Sequence, residues 1–139
     1  MSDQFVYALK ERIGYPVLFS GRQQELQYYL DWAHSIERKA SSSLAILSRR
    51  KSGKTSLLQR IYNIIWNENK KVIPFYIEIE DKPKWIREFC QEYYLTFYSQ
   101  YYSFKLRMPE YSNTELSLED IKEIAINRKD QLILRKIPK

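Results

Sequence analysis

Apolar positions fall into two kinds of pattern along the chain. Leu26, Tyr29, Leu30 and Ala33 recur at the three- and four-residue spacing of one helical face. Ser20-Gly21-Arg22-Gln23 just before them matches a capping box, with Ser20 as N-cap and Gln23 three residues on. The helix is therefore expected to begin there and run to about Arg38. Tyr15-Pro16-Val17-Leu18-Phe19 is a short extended lead-in, and Ser41-Ser42-Ser43 is a connector. Leu44-Ala45-Ile46-Leu47 is a fully apolar run, as in the middle of a parallel sheet. Leu57, Leu58, Ile61, Ile64 and Ile65 return to helical spacing, and that helix should end near Asn67-Glu68-Asn69. Val72 to Ile79 reads as a second strand. Residues 44–79 thus predict a βαβ unit with a right-handed crossover, in an α/β fold.

The second half is mostly helical in pattern. Asp81-Lys82-Pro83 predicts a helix start, since proline is tolerated in a first turn. Trp85, Phe89, Tyr93, Phe97 and Tyr101 recur every four residues, with Ile86, Cys90, Tyr94 and Tyr98 beside them. Such a stripe predicts a buried face. The alternative is a base-stacking surface, which interleaves aromatic and basic residues; here Lys84, Arg87 and Lys105 are few and lie towards the ends. Met108 to Thr114 reads as a loop. Ser117-Leu118-Glu119-Asp120 resembles a helix start, with Ile121, Ile124 and Ala125 as its apolar face. Leu132-Ile133-Leu134 is a last short apolar run. With 139 residues and no internal repeat or low-complexity linker, one domain is expected.

The chemistry concentrates between the first apolar run and the helix after it. Ser48-Arg49-Arg50-Lys51-Ser52-Gly53-Lys54-Thr55 stands in the strand–loop–helix context of a phosphate-binding loop. Backbone N–H groups and a helix start supply oriented donors to phosphate. Gly53 lets the backbone approach closely, having no Cβ. Lys54 can reach phosphate oxygens as a point charge, and the Thr55 hydroxyl is the natural Mg²⁺ ligand. Ser48 stands where the pattern GxxxxGK[ST] has its first glycine. The competing reading is a serine- and lysine-rich turn that binds nothing.

Bulk properties narrow the rest. Twelve Tyr, six Phe and three Trp against only three Gly and five Pro exclude disordered and collagen-like classes. No apolar stretch approaches the roughly 20 residues needed to cross a bilayer. Met1-Ser2-Asp3-Gln4 shows no signal-peptide pattern, so a cytoplasmic protein without a membrane partner is expected. Cys90, the single cysteine, excludes a disulfide framework and reads as a small core residue. His34, the single histidine, has no Cys or His at ligand spacing. The net charge of +6 permits, without demanding, a nucleic-acid or other acidic partner.

Phe19-Ser20-Gly21-Arg22-Gln23-Gln24-Glu25-Leu26 precedes Leu47 to Leu58 by about two dozen residues, with the phosphate loop inside the second segment. Together the two resemble the archaeal-type and STAND-like ATPases, the AAA-like branch of P-loop NTPases. Members carry an F-x-G-R-x-x-E-L box and then an arginine-rich loop ending G-K-T-S-L-L, often with the first glycine replaced. The resemblance covers roughly residues 16–80. It implies a three-layer α/β sandwich with a parallel sheet, incomplete in this chain, and binding of ATP with Mg²⁺. The implied nucleotide-binding set is Ser48, Arg49, Arg50, Lys51, Ser52, Gly53, Lys54, Thr55 and Ser56. Arg22 joins it by lying close to the adenine, with Val17 and Leu18 lining that pocket, and Thr55 is the implied metal ligand. Such proteins often act as switches on a protein partner or an assembly; the alternative is a nucleic-acid-associated ATPase fragment, since related proteins include replication-initiator-like forms and the charge is positive.

The departure lies in the second acidic motif, an apolar strand ending in Asp-Glu that completes the Mg²⁺ shell. Val72 to Asp81 is apolar and ends acidic but is the first strand after the loop helix, so Glu80 and Asp81 read as loop residues. Leu132-Ile133-Leu134 is followed by Arg135-Lys136, of the wrong sign. No catalytic residue is assigned, and weak or absent hydrolysis is expected. The N-terminal part of a longer ATPase or a shortened gene product would both look like this. A nucleotide-free interaction protein using the Tyr-rich helix is the reading from another class.

Overall fold

The computed structural model describes residues 4–12, 21–40, 42–49, 52–114 and 116–137. All regular structure among them is helical: α1 (Gln23–Ser35) with a 3₁₀ turn (Ile36–Arg38), α2 (Lys54–Glu68), α3 (Ile86–Leu106), α4 (Glu110–Asn113), α5 (Leu118–Asn127) and α6 (Gln131–Leu134). They divide into two compact units, Met1–Tyr76 and Ile77–Lys139.

In the first unit α1 and α2 pack through the faces that the periodicity picks out. Leu30, Ala33, Leu57, Ile61 and Ile65 are buried together, with Leu26, Tyr29, Leu58, Ile64 and Val72 against them. The helix α1 starts later than the capping box implies. Gly21 and Arg22 take φ 75° and 54°, both left-handed, so neither can belong to the first turn. Arg22 is the N-cap, and it makes no side-chain cap bond; Ser20 and the lead-in 15–19 lie outside the described residues. The end of α2 is as expected, with Asn69 left-handed at φ 49° closing it.

The second unit is a helical cluster around α3. Tyr98, Tyr102, Leu116, Ile121, Ala125 and Ile133 form its core. Ser117 caps α5 by accepting from the Asp120 N–H while Asp120 returns a bond to the Ser117 N–H, so the expected start is met. Small polar residues let the chain close on α3: the Ser99 hydroxyl accepts from the Leu116 N–H at 2.8 Å, and Ser103 meets Ser112 at 2.6 Å. Arg107, at φ 56°, ends α3, and the Met108 N–H reaches back to the Ser103 carbonyl at 2.9 Å. Part of the expected loop 108–114 is the single turn α4.

The α/β sandwich with a parallel sheet is overturned, because no strand forms among the described residues. Residues 44–47 and 72–79 carry no regular structure, and Leu47 and Ile79 are 94% and 74% exposed. An apolar run becomes a strand only by pairing. Two short strands alone are marginal in water, and three or more with a covered face are needed.

The aromatic stripe also divides differently. Trp85 is 80% exposed and Tyr93 is exposed, Phe89 and Tyr94 are half-buried, and Tyr98 and Tyr102 are buried. The core therefore follows the row beside the predicted one, and Phe89 lies outside it. Helix α3 begins at Ile86, not near Asp81. Cys90 is exposed, which corrects its reading as a core residue.

Candidate functional site

Gly53 is the N-cap of α2 at φ 78°, a left-handed conformation that a side chain would strain. Its carbonyl accepts the Leu57 N–H at 3.0 Å, the first bond of the helix. The N–H groups of Lys54, Thr55 and Ser56 therefore have no acceptor within α2, and the helix places partial positive charge there. The preceding loop is turned back on itself. The Ser52 N–H donates to the Arg49 carbonyl at 3.3 Å, and the Ser52 hydroxyl donates to that of Ser48 at 2.8 Å. Ser48 does not adopt a left-handed φ, so glycine is not required at its position.

Together these residues line an open cavity of about 480 Å³. Its lining among the described residues is Arg12, Ser48, Arg49, Ser52, Gly53, Lys54, Thr55 and Ser56, which include three cationic side chains and no carboxylate. Arg22 comes close by another route: a guanidinium nitrogen lies 4.0 Å from where a Cβ on Gly53 would sit. Its Nε also lies 3.8 Å from Glu25 Oε1. Arg50 and Lys51, like Val17 and Leu18, lie outside the described residues. Every described member of the expected set except Arg22 lines this one cavity.

Arg12 is the member that sequence reasoning missed, and the way it is held was missed as well. The segment 6–12 runs antiparallel to α2, clipped by side chains of that helix. Asn67 donates to the Val6 carbonyl at 2.7 Å and accepts the Val6 N–H at 2.8 Å. Asn63 does the same at Leu9, with both bonds at 2.8 Å. Gln59 accepts the Arg12 N–H at 2.6 Å, and the Ser56 hydroxyl donates to the Arg12 carbonyl at 2.9 Å. Glu11 is buried in the same seam, accepting from Asn63 at 3.0 Å and lying 2.9 Å from Arg60 Nη2. That last contact is an ion pair whose alignment falls short of a hydrogen bond. The Arg60 guanidinium also lies over the rings of Phe5 and Tyr7, at 5.7 and 5.6 Å. The available signal was the polar series Ser56, Gln59, Asn63, Asn67, at three- and four-residue spacing on a helix otherwise read for its apolar face.

No family model, curated protein or solved structure matches this chain.

Mg²⁺ usually keeps several waters and takes one or two protein groups beside the substrate's phosphates. The half-buried, cavity-lining Thr55 hydroxyl fits that minimal role. Among the described residues no group of His, Cys, Asp and Glu could hold a metal by itself. Glu80 is exposed and paired with Lys82 at 3.1 Å, whose hydrogen bond and charge hold its carboxyl below the usual range. His34 Nε2 lies 2.7 Å from Glu68 Oε2, tying α1 to the end of α2. A second cavity, of about 350 Å³, lies along 77–96. Its described lining carries three carboxylates, Glu78, Glu80 and Glu92, against Lys82 and Lys84, with Lys84 and Glu92 paired at 2.6 Å, so it offers an anion no comparable field. No described helix is long and apolar enough to cross a membrane.

Proposed function

We propose that the loop at the head of α2 binds the phosphates of ATP with Mg²⁺. The observation that carries this reading is the cavity itself. It joins a glycine-capped helix start, the Thr55 hydroxyl and, among the described residues of its lining, three cationic side chains and no carboxylate. An anion of several negative charges meets both fixed N–H donors and flexible cations there. In this reading Lys54 neutralises phosphate oxygens, and Ser52 and Ser48 hold the loop in shape. Thr55 takes one position of the Mg²⁺ shell; the ion, when bound, neutralises phosphate charge. The order of the two motifs, resembling that of STAND-like ATPases, supports ATP as the nucleotide and a switch acting on a protein partner as the role. Turnover is weak or absent, because no acidic group among the described residues of the cavity can orient water.

Calorimetry with Mg-ATP on the folded chain tests this. Lys54→Ala removes a charge-assisted contact, so affinity should fall about tenfold or more. Equal affinity in the two proteins, or none in the unsubstituted one, overturns the proposal. A second reading, an interaction protein that uses α3 without nucleotide, draws on the exposure of Trp85, Ile86 and Tyr93. The same titration separates the two.

A further inference from the structure

We infer that Arg12 is a phosphate-contacting residue of this site, and that Gln59, Asn63 and Asn67 are positioning residues that hold it there. The inference rests on the nucleotide-binding reading and adds a residue from outside the loop. Arg12 lies far from the loop in sequence, yet it lines the same cavity as Lys54 and Thr55. Its backbone is held on both sides: Gln59 accepts its N–H at 2.6 Å, and Ser56 donates to its carbonyl at 2.9 Å. Ser56 is itself in the first turn of α2 and lines the cavity. The anchor of Arg12 is thus part of the phosphate cradle.

The clips further along α2 serve the same end. Asn63 and Asn67 each grip one residue of the segment through both its N–H and C=O groups. Buried backbone groups need partners, and here carboxamides supply them in place of a neighbouring strand. A cation on a free chain end would lose backbone and side-chain entropy on meeting phosphate. Much of that loss is already met when the segment is clipped. Arg12, a planar donor fork suited to phosphate, gains most from being fixed in advance.

The test is Mg-ATP titration with five proteins: the unsubstituted chain, Lys54→Ala, Arg12→Gln, Arg12→Lys and Asn63→Leu. In Arg12→Gln, affinity should drop about tenfold, the loss of one charge-assisted contact. Arg12→Lys should recover most of that loss, which a merely structural role would not predict. Asn63→Leu should weaken binding too, and should remove the amide-exchange protection of Leu9. If the unsubstituted chain and Arg12→Gln bind ATP equally while Lys54→Ala does not, the inference falls and the nucleotide reading stands. If the unsubstituted chain binds no ATP, the nucleotide reading falls and takes this inference with it.

Discussion

Arg60→Met keeps the aliphatic stem and removes the guanidinium beside Glu11. The pair is buried: the Glu11 side chain is 0% exposed and that of Arg60 13%. Removing one partner from such a pair costs about 3–5 kcal/mol, since it leaves an uncompensated charge away from water. Loss of the contacts to Phe5 and Tyr7 adds roughly 1 kcal/mol more. The cost has a ceiling, because the segment 6–12 can lift off α2 without unfolding the α1–α2 pair. The loss cannot exceed the free energy of that docking. Hydrogen exchange at the amides of Val6, Leu9 and Arg12 therefore reads it more directly than a global melt. A loss of about 3 kcal/mol should speed their exchange a hundredfold or more. Glu11→Gln in the same chain replaces the stranded charge with a neutral amide, so the double variant should be better protected than Arg60→Met alone. Unchanged protection in Arg60→Met, or a double variant no better than the single one, refutes the reasoning.

Leu57→Ala, at a fully buried position of the α1–α2 core, should cost about 2–5 kcal/mol in urea unfolding. Tyr102→Ala should cost about 3–5 kcal/mol, whereas Phe89→Ala, outside the core cluster, should cost about 1 kcal/mol or less. The Tyr94 hydroxyl is pushed up to about 12, chiefly by burial and then by Tyr98 beside it. Its folded-state value lies above the ordinary tyrosine value of about 10. Its contribution to stability is therefore complete below about pH 10 and is lost as pH rises through about 12. Phenolate absorbance and circular dichroism in alkali should change together over that window, and Tyr94→Phe should shift the unfolding to higher pH.

The helices were legible in the sequence wherever one face alone decides burial. Leu26 to Ala33, Leu57 to Ile65 and Ile121 to Ala125 pack as their spacing implies, and Ser117 with Asp120 caps α5 through two local bonds. Strands were not legible, because pairing is a property of two segments. Leu44–Leu47 has the composition of a central strand but pairs with no strand among the described residues, and Leu44 and Leu47 stay exposed. On α3 the four-residue aromatic recurrence runs in two adjacent rows, and periodicity cannot choose between them. Packing of Leu116, Ile121 and Ile133 chooses the row of Tyr98 and Tyr102. The loop residues were legible since their chemistry is local to eight positions. Arg12 was not, because carboxamides gripping a distant backbone leave no apolar trace.

The clip series on α2 also makes this stretch of chain commensurate with the helix in one register only. Its rungs at Asn67, Asn63 and Gln59 are four residues apart, which is about 6 Å along the axis. They grip the segment at residues 6, 9 and 12, and three extended residues would span roughly 10 Å. The segment must therefore shorten between rungs, and the chain bends at Ala8 and Leu9. Two lattices of unequal pitch are matched by that bend, as on a vernier. The rungs hold backbone groups, but Ala8 and Glu11 between them are buried and Lys10 is exposed. Inserting or deleting a single residue there is not easily absorbed: it carries Arg12 one full position away from the mouth of α2.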